Sequence, residues 1–331
     1  MRRIFSAIAV TFLCAGACFA NNADVDSGRL ALSVEVTNGT TNGHTVVGDD
    51  ATLAIYEHNK LVDRIKSKVG TDGTVLFENI QAGEHSVAVA QVFHEGMSFG
   101  SNAIVLKAGQ EQANAQVHVF DVSYDTSGLS AKTHHIILKR QDGSVLLTEY
   151  IQLVNTSDMA IGSKQKDSAG RPMVLTIPLP KGFQDFTSSS YLEPQALGFT
   201  EHSFYDTMGV PPGSHEIIFS YTLEIKSGMI DVTKKISLPT SHFVLYSQLG
   251  EKKIQGLGDV AGELALGDRT SSEYFVLGNL TSGKEVKFKI AGLSMSVGNK
   301  SSWIILAVVF GVIIVVAVLR LRHPENQTIS A

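Results

Sequence analysis

Short runs in which apolar and polar residues alternate fill most of the middle of this 331-residue chain. In the clearest run, the residues at every second position are large and apolar: Ile217, Phe219, Tyr221 and Leu223. The residues between them are mostly polar: Ile218, Ser220, Thr222 and Glu224. Successive side chains of a β-strand point to opposite faces, so this run predicts a strand with one buried face and one mostly hydrated face.

Further runs share this alternation and are bounded by glycine, asparagine, aspartate or proline. They cover residues 30–36, 51–56, 85–92, 116–120 and 136–140. Apart from the two ends of the chain, no segment longer than ten residues has the period of an amphipathic helix. We therefore expect an all-β fold of tandem antiparallel β-sandwich domains, Ig-like or transthyretin-like, plus one C-terminal transmembrane helix.

The first 20 residues have the features of a secretory signal peptide. Arg2 and Arg3 precede an almost wholly apolar stretch, and small residues lead to the expected cleavage point after Ala20. An uncleaved anchor and a lipoprotein signal cut before Cys18 are the alternatives. Cleavage after Ala20 would remove both cysteines of the chain, so stability would come from apolar cores and not from disulfides.

The C-terminal segment predicts one membrane-spanning helix over residues 303–321. Residues 303–319 are all apolar or glycine, and at ~1.5 Å per residue they span about 25 Å. Trp303 lies where an interfacial aromatic residue is expected, and Arg320 and Arg322 mark the cytoplasmic side. The alternative, a buried core helix, would carry a polar stripe that this segment lacks.

Together the two ends predict a single-pass protein of the cytoplasmic (inner) membrane, with its ectodomain in the periplasm or outside the cell. The membrane is therefore the first expected partner. The formal net charge is −5 and no long charge run occurs, which argues against a nucleic-acid partner. The expected parts are a signal peptide 1–20, a first β-sandwich 21–120, a second β-sandwich 121–235, a small β-rich module or the closing strands of the second sandwich 236–293, a stalk 294–302, the transmembrane helix 303–321 and a cytoplasmic tail 322–331.

The segment TDGTVLFENIQAGEHSVAV suggests a known domain family. A Thr-Asp-Gly turn leads into a strand with Val75 and Phe77, and after a corner a second strand carries Val87 and Val89. This pattern resembles the carboxypeptidase regulatory-like domain, a small transthyretin-like sandwich whose core would take these alternate residues. The resemblance covers roughly residues 28–119.

The resemblance implies a non-catalytic companion domain. It does not imply peptidase activity, because none of the eleven histidines is followed three residues later by glutamate. The remainder, about residues 120–293, is similar to a group of uncharacterised bacterial envelope proteins with a regulatory-like domain, a further β-rich part and one C-terminal anchor. The similarity lies in residues 119–129, 154–158, 175–183 and 206–223. Some of that group are linked to cytochrome c maturation, so the resemblance implies partners among envelope proteins.

One motif suggests catalysis but lacks its structural context. Residues 96–100 match Gly-x-Ser-x-Gly around Ser98, and the nucleophile elbow of α/β-hydrolases needs a strand before this motif and a helix after it. Residues 103–106 predict another strand instead. We therefore expect no catalytic residue and no enzyme activity.

The histidines are scattered, apart from the adjacent pair His134 and His135. Strand alternation would place these two on opposite faces, so they could not chelate one ion together. One of them could still pair with a histidine on another strand, such as His118. Asp121 stands isolated in the sequence, and no Cys-x-x-Cys-His haem motif occurs. The sequence therefore predicts no metal site and no cofactor.

Residues 181–213 form the longest weakly patterned stretch of the ectodomain, and long loops on rigid sandwiches often carry function. Its aromatic residues are the best binding candidates that the sequence offers: Phe183, Phe186, Tyr191, Phe204 and Tyr205. The alternative is that these side chains fill the end of the sandwich.

These features predict a non-catalytic, membrane-anchored envelope protein whose β-sandwich ectodomain binds or scaffolds partner proteins, with cytochrome c assembly as one setting. A cell-surface adhesion or carbohydrate-binding protein is the second hypothesis. A hydrolase with an unrecognised active site, for which Ser98 is the sole positive sign, is the third.

Overall fold

The computed structural model describes residues 30–293 except residues 82, 84, 108, 252 and 267–269. The predicted signal peptide and the predicted transmembrane helix, with Trp303, Arg320 and Arg322, lie outside these residues. The described part is nearly all β, and its one helical element is a 3-10 turn at Pro194–Ala196. It contains no helix of the length and apolarity that a membrane crossing requires.

Eight strands build the first sandwich. They are β1 (Leu30–Asn38), β2 (Asp50–Glu57), β3 (Lys60–Lys68), β4 (Thr74–Ile80), β5 (Ser86–His94), β6 (Met97–Gly100), β7 (Ile104–Val105) and β8 (Gln112–Val119). One sheet has the order β4-β1-β8, and the other has the order β3-β2-β5-β6 with β7 alongside β5. Alternate side chains of β1 are buried, as the sequence pattern predicts.

The core of the first sandwich differs from the expectation on β5. Val75 and Phe77 on β4 are buried as expected, but Val87 and Val89 are only half-buried. The side chains of β5 that enter the core are Ser86, Ala88, Ala90 and Val92. Ser86 occupies this face because its hydroxyl donates to the Glu57 carboxylate and so remains hydrogen-bonded when buried.

The second part contains the remaining strands. They are β9 (Val122–Ser123), β10 (Leu129–Gln141), β11 (Ser144–Asn155), β12 (Ala160–Ile161), β13 (Leu175–Pro178), β14 (Phe183–Ser190), β15 (Leu197–Phe199), β16 (Ser203–Asp206), β17 (Gly213–Glu224), β18 (Ile230–Lys235), β19 (Thr240–Ser247), β20 (Ile254–Gln255), β21 (Gly262–Leu266), β22 (Thr270–Leu280) and β23 (Glu285–Ile290). A seven-stranded sheet has the order β14-β17-β11-β10-β19-β22-β21, and two three-stranded sheets have the orders β13-β16-β15 and β18-β23-β20.

One apolar core serves this whole second part. It runs from Leu129 on β10 to Leu293 after β23 and includes Phe243 and Phe275 from the last third. Strands from residues 121–235 and from residues 236–293 therefore share both the seven-stranded sheet and the core.

Strand β17, second from one edge of the seven-stranded sheet, is buried on both faces, unlike the half-hydrated strand that its sequence predicts. Ile217, Phe219, Tyr221 and Leu223 enter the core as expected, but Ile218, Ser220 and Thr222 are buried as well. Their polar atoms are satisfied by side chains of the flanking strands. The Ser220 hydroxyl bonds that of Thr148, and Thr222 donates to Asp185. A polar residue in a strand therefore need not face water when its neighbours supply partners.

The sandwiches are not purely antiparallel, which corrects the expectation. Strand β8 pairs in parallel with β1, and β19 pairs in parallel with β10. Parallel neighbours need a long connection, and here that connection consists of the intervening strands of the same sandwich.

The two sandwiches meet where the chain leaves β8. Strand β9 pairs in parallel with β12, and the Ala160 amide donates to the Asp121 carbonyl at 2.9 Å. Ala160 belongs to the second part by sequence, yet its side chain packs in the core of the first sandwich. The segment 121–123 is therefore fixed between the two halves.

Candidate binding cleft and two histidine–carboxylate clusters

Four of the five aromatic residues predicted to bind a ligand pack into or against the second core. Phe204 is buried in this core, and Phe183, Phe186 and Tyr191 are partly buried against it. Tyr205 is also buried, but it lies outside this core cluster. The Phe186 ring lies 4.8 Å from that of Phe204. This placement matches the alternative that the sequence left open, in which these rings fill one end of the sandwich.

Tyr191 packs against the second core and also lines a cleft. Its hydroxyl donates to the Gly209 carbonyl at 3.3 Å, and its ring lies 4.7 Å from that of His215. Burial, with a contribution from the Asp206 carboxylate, raises the pKa of this phenol far above its usual value. The Tyr191 phenol is therefore a neutral hydrogen-bonding group in the wall of the cleft.

The cleft, about 760 Å³ in volume, lies between the two sandwiches. From the first sandwich it is lined by the outward face of the five-stranded sheet, including Tyr56, Val89 and Phe93. From the second it is lined by Tyr191 and by the segment 206–209. The Phe93 side chain is 50% exposed, a large apolar surface at this position. Clefts of this size between domains are common ligand sites.

One carboxyl group in the cleft has an unusual proton affinity. Asp206 is almost fully buried, and this burial raises its pKa to about 6 against the opposing hydrogen bonds from the Met208 and Thr207 amides. The nearby Glu193 carboxylate raises it further. A carboxyl that titrates near neutral pH in a cleft is a functional candidate on physical grounds.

Ser98 also lines the cleft, but not at a nucleophile elbow. It lies inside β6, an antiparallel strand paired with β5, and β7 follows shortly after. The strand-to-helix turn that exposes a hydrolase serine is not formed at residues 96–100.

The adjacent histidines point to opposite faces of β10, as strand alternation predicts. His134 is buried, and its Nε2 lies 2.7 Å from the Glu149 Oε2 on β11. Because an ionised carboxylate accepts only, Nε2 carries the proton of this bond. Burial lowers the pKa of His134 despite the pull of Glu149, so the ring is neutral at neutral pH.

Glu149 is the centre of an ionic network sealed inside the second sandwich. Its Oε1 accepts from the Lys234 ammonium and the Tyr221 hydroxyl, each at 2.7 Å. Lys234 comes from the facing sheet, is 1% exposed and also donates to the Pro178 carbonyl. Burial alone would raise the pKa of Glu149, but Lys234 and the hydrogen bond from His134 hold it at about 2. We call these four side chains the inner cluster: His134, Glu149, Tyr221 and Lys234.

His135 belongs to a row of aromatic rings on the outer face of the seven-stranded sheet. Its ring lies 5.9 Å from that of Tyr150 and 5.4 Å from that of Tyr246, and Tyr246 lies 6.1 Å from Tyr274. Burial, with the nearby His134 and His242, lowers the pKa of His135 to about 4. Tyr246 and Tyr274 are half-buried. The row thus presents a polar-edged aromatic strip across three strands.

A second histidine–carboxylate group lies where the two sandwiches meet. His44, in the loop between β1 and β2, places its Nδ1 at 2.7 Å from Asp121 Oδ2 and at 2.9 Å from Glu95 Oε1. These three ligand atoms all lie within 4.8 Å of one another. The His44 side chain is 72% exposed and that of Glu95 32%, whereas Asp121 is buried.

Two further residues hold the buried carboxylate in place. Asn38 donates to Asp121 Oδ1 at 2.7 Å, and His94 Nε2 lies 3.2 Å from the same oxygen. The other nitrogen of His94 lies 2.6 Å from Asp49 Oδ2. Burial alone would raise the pKa of Asp121, but the hydrogen bonds from Asn38, His94 and His44 bring it to about 2. The junction cluster is this set: Asn38, His44, Asp49, His94, Glu95 and Asp121.

The sequence gives no sign of the junction cluster. His44 and Asp121 are separated by 77 positions, and Glu95 lies on a different turn from both. No ligand motif spans such distances, and the prediction that Asp121 stands alone is wrong in three dimensions.

No protein-family model and no curated protein matches this chain. Solved structures give weak similarities. A substrate-bound mutant of an M1 zinc metallopeptidase from Deinococcus radiodurans is 8% identical, with 51% of this chain and 44% of that chain covered and a TM-score of 0.30. This chain thus spans less than half of the metallopeptidase.

Two other structures match over more of their length but superpose less well. The full-length major pilin SpaD from Corynebacterium diphtheriae is 10% identical, with 80% of this chain and 87% of that chain covered and a TM-score of 0.20. A DUF3823 family protein from Parabacteroides merdae is 15% identical, with 63% and 90% covered and a TM-score of 0.19. At these scores the similarities support no functional conclusion.

Proposed function

We propose that this chain is a non-catalytic, membrane-anchored envelope protein that binds a segment of a partner protein in the cleft between its two sandwiches. The cleft is the observation that supports the proposal. It joins an exposed apolar side chain, Phe93, to hydrogen-bonding groups of Tyr191 and Asp206. The apolar end runs of the sequence support the anchoring, and the resemblance to envelope proteins supports cytochrome c assembly as one setting.

The shape and chemistry of the cleft suit a peptide segment. Its floor is the outward face of a β-sheet, and its opposite wall is formed by Tyr191 and the segment 206–209. A mixture of aromatic rings and hydrogen-bonding groups contacts both the side chains and the main chain of an extended peptide. Only part of a partner would enter, because the volume of about 760 Å³ corresponds to a few residues.

Site-specific photo-crosslinking in intact membranes tests the proposal. A photoreactive amino acid replaces Phe93 in one variant and Phe199 in the control, since these two aromatic side chains are 50% and 52% exposed. Phe199 does not line the cleft. The Phe93 position should yield a discrete adduct with one envelope protein, identified by mass spectrometry, and the Phe199 position should not.

The identified partner is then purified and its binding to the full chain is measured. Phe93→Asp should weaken that binding at least tenfold, whereas Phe199→Asp should leave it unchanged. Equal adducts at both positions, or equal binding by both variants, would reject the cleft as the binding site.

The aromatic row on the outer face favours a second candidate function, carbohydrate binding. The rings of His135, Tyr246 and Tyr274 follow one another across β10, β19 and β22, with the His135 ring nearly perpendicular to that of Tyr246, and such a row offers aromatic contacts to a sugar. A glycan array with the full chain, repeated with Tyr246→Ala, would detect it. Absence of any Tyr246-dependent signal would remove this candidate and leave the cleft proposal untouched.

A further inference from the structure

We propose that the junction cluster is a binding site for a divalent transition-metal ion of the zinc type. The three ligands are His44 Nδ1, one oxygen of Glu95 and Asp121 Oδ2. They converge from three separate segments: the loop after β1, the β5–β6 turn and the segment that follows β8. Metal binding at this site does not depend on whether the cleft binds a partner.

The spacing of the three atoms fits a metal after a small adjustment. Zinc ligands ~2.0–2.1 Å from the ion lie about 3.3–3.4 Å apart in a tetrahedron. His44 Nδ1 lies 2.7 Å from Asp121 Oδ2 and 2.9 Å from Glu95 Oε1. The exposed imidazole needs to retreat by well under 1 Å for these two distances to reach that spacing, and the two carboxylate oxygens lie within 4.8 Å of each other. His44 and Glu95 are exposed, so water can reach the site and complete the coordination.

The residues behind the ligands are those that a metal site requires. The oxygen of Asp121 that faces away from His44 Nδ1 is held by Asn38 and His94, and His94 is in turn held by Asp49. Such outer hydrogen bonds orient ligating carboxylates in metalloproteins. His94 is 2% exposed, so this supporting residue has a fixed position.

The donor set selects the class of metal. One imidazole nitrogen and two carboxylate oxygens suit zinc and its transition-metal neighbours. Calcium takes six to eight oxygen ligands, and magnesium prefers an all-oxygen octahedron, so neither fits three side chains that include an imidazole.

The charges of the cluster also favour a cation. Three carboxylates, those of Asp49, Glu95 and Asp121, face two imidazole rings. A neutral imidazole has one N–H, yet His44 Nδ1 lies within reach of two carboxylates at once. A divalent ion at this point would neutralise both carboxylates while the imidazole offers its lone pair.

A bound ion would fix the geometry of the junction. Glu95 is at the tip of the β5–β6 turn, and the next residues, Gly96 and Met97, line the cleft. Asp121 is tied to Ala160 of the second part through its carbonyl. The metal would therefore clamp the first sandwich, the connecting segment and one wall of the cleft together.

The test is zinc titration of the purified, chelator-treated full chain by calorimetry near neutral pH, with calcium and magnesium titrated in parallel. One zinc per chain should bind with micromolar or tighter affinity, and calcium and magnesium should not. His44→Ala and Glu95→Gln should each weaken this binding at least about tenfold. His202→Ala removes another exposed histidine beside a glutamate and is the matched control, with unchanged affinity expected.

X-ray absorption at the zinc edge identifies the ligands. Nitrogen and oxygen donors with an imidazole signature lost in His44→Ala would support the site, whereas sulfur donors would assign the zinc to Cys14 or Cys18 and reject it. Both variants alter exposed side chains, so urea unfolding should confirm that they fold. One-to-one binding that survives both substitutions, or no such binding by the unaltered chain, would overturn the proposal.

Discussion

The inner cluster and the junction cluster are built from the same contact and serve different ends. Each pairs an imidazole with a carboxylate at 2.7 Å. In the inner cluster the carboxylate is fully buried and every oxygen has a partner from the protein itself. In the junction cluster the imidazole is 72% exposed and two carboxylates compete for one nitrogen. Residue type does not distinguish a structural group from one that is open to a ligand. The distinction lies in burial and in whether the protein itself supplies every hydrogen-bond partner.

The largest effect should come from opening the inner cluster. Glu149→Ala leaves the Lys234 ammonium buried without a counter-ion, so the free energy of unfolding should fall by about 3–5 kcal/mol. Glu224→Ala is the control, because this carboxylate is exposed and lies 3.8 Å from Lys226; its cost should stay below about 1 kcal/mol. Urea unfolding with hydrogen exchange of β11 measures both. Equal costs would mean that the inner network contributes no more than a surface pair.

A double variant tests whether the buried ion pair itself stabilises the second sandwich. Glu149→Leu combined with Lys234→Met removes both charges and keeps apolar volume, so it should cost less than either single change. A double variant less stable than both single variants would show that the network is a net stabiliser of the second sandwich.

Lowering the pH should reduce the stability that the inner cluster contributes to the second sandwich. The pKa of Glu149 is about 2 in the folded chain against 4.5 when unperturbed, so the unfolded state binds the proton first. Its contribution, on the order of 3 kcal/mol, is complete above the unfolded pKa and is lost as the pH falls towards about 2. The lowered pKa of His134 acts in the same direction, because the unfolded ring is protonated at higher pH. Protection of β11 amides that stayed constant down to the acid limit would contradict this.

Substitution in the buried half of the junction cluster should lower the free energy of unfolding by an intermediate amount. Asp121→Asn keeps the shape but removes the charge that accepts from Asn38 and His44, so stability should fall by about 1–3 kcal/mol. Asp125→Asn, a nearby exposed aspartate that caps its own turn, is the matched control. Hydrogen exchange of the segment 121–123 measures the difference, and equal protection in both variants would argue against a fixed junction.

Substitution in the exposed half of the junction cluster should lower the free energy of unfolding least. His44→Ala removes a ring that is mostly in water, so the metal-free chain should lose no more than about 0.5 kcal/mol. The same variant should lose the stabilisation that added zinc gives the unaltered chain, read as a shift of the thermal midpoint. A large loss of stability in the metal-free variant would make His44 a structural residue, as His134 is in the inner cluster.

The strand content could be predicted from the sequence because alternation is local. Ile217, Phe219, Tyr221 and Leu223 enter the core as the period of their run requires, and His134 and His135 point apart for the same reason. The strand pairings could not be predicted from the sequence, because nothing local to β10 indicates that its parallel neighbour is β19. The clusters follow from those pairings, so Glu149 meets Lys234 and His44 meets Asp121 only in the folded chain. For the aromatic residues of 181–213 the sequence leaves two alternatives open, because large rings fit a sandwich end as well as a ligand.

The parallel pairings determine how this protein can be divided into fragments. In each sandwich an early strand, β1 or β10, has a neighbour that the chain supplies only near the end of that unit. A fragment that stops before residue 240 leaves β10 with an open edge, and Phe243, against which the His134 ring packs, is missing. Such a fragment would offer its unpaired strand to other chains. A useful expression fragment of the second sandwich must therefore reach past β23, however complete a shorter one looks in sequence.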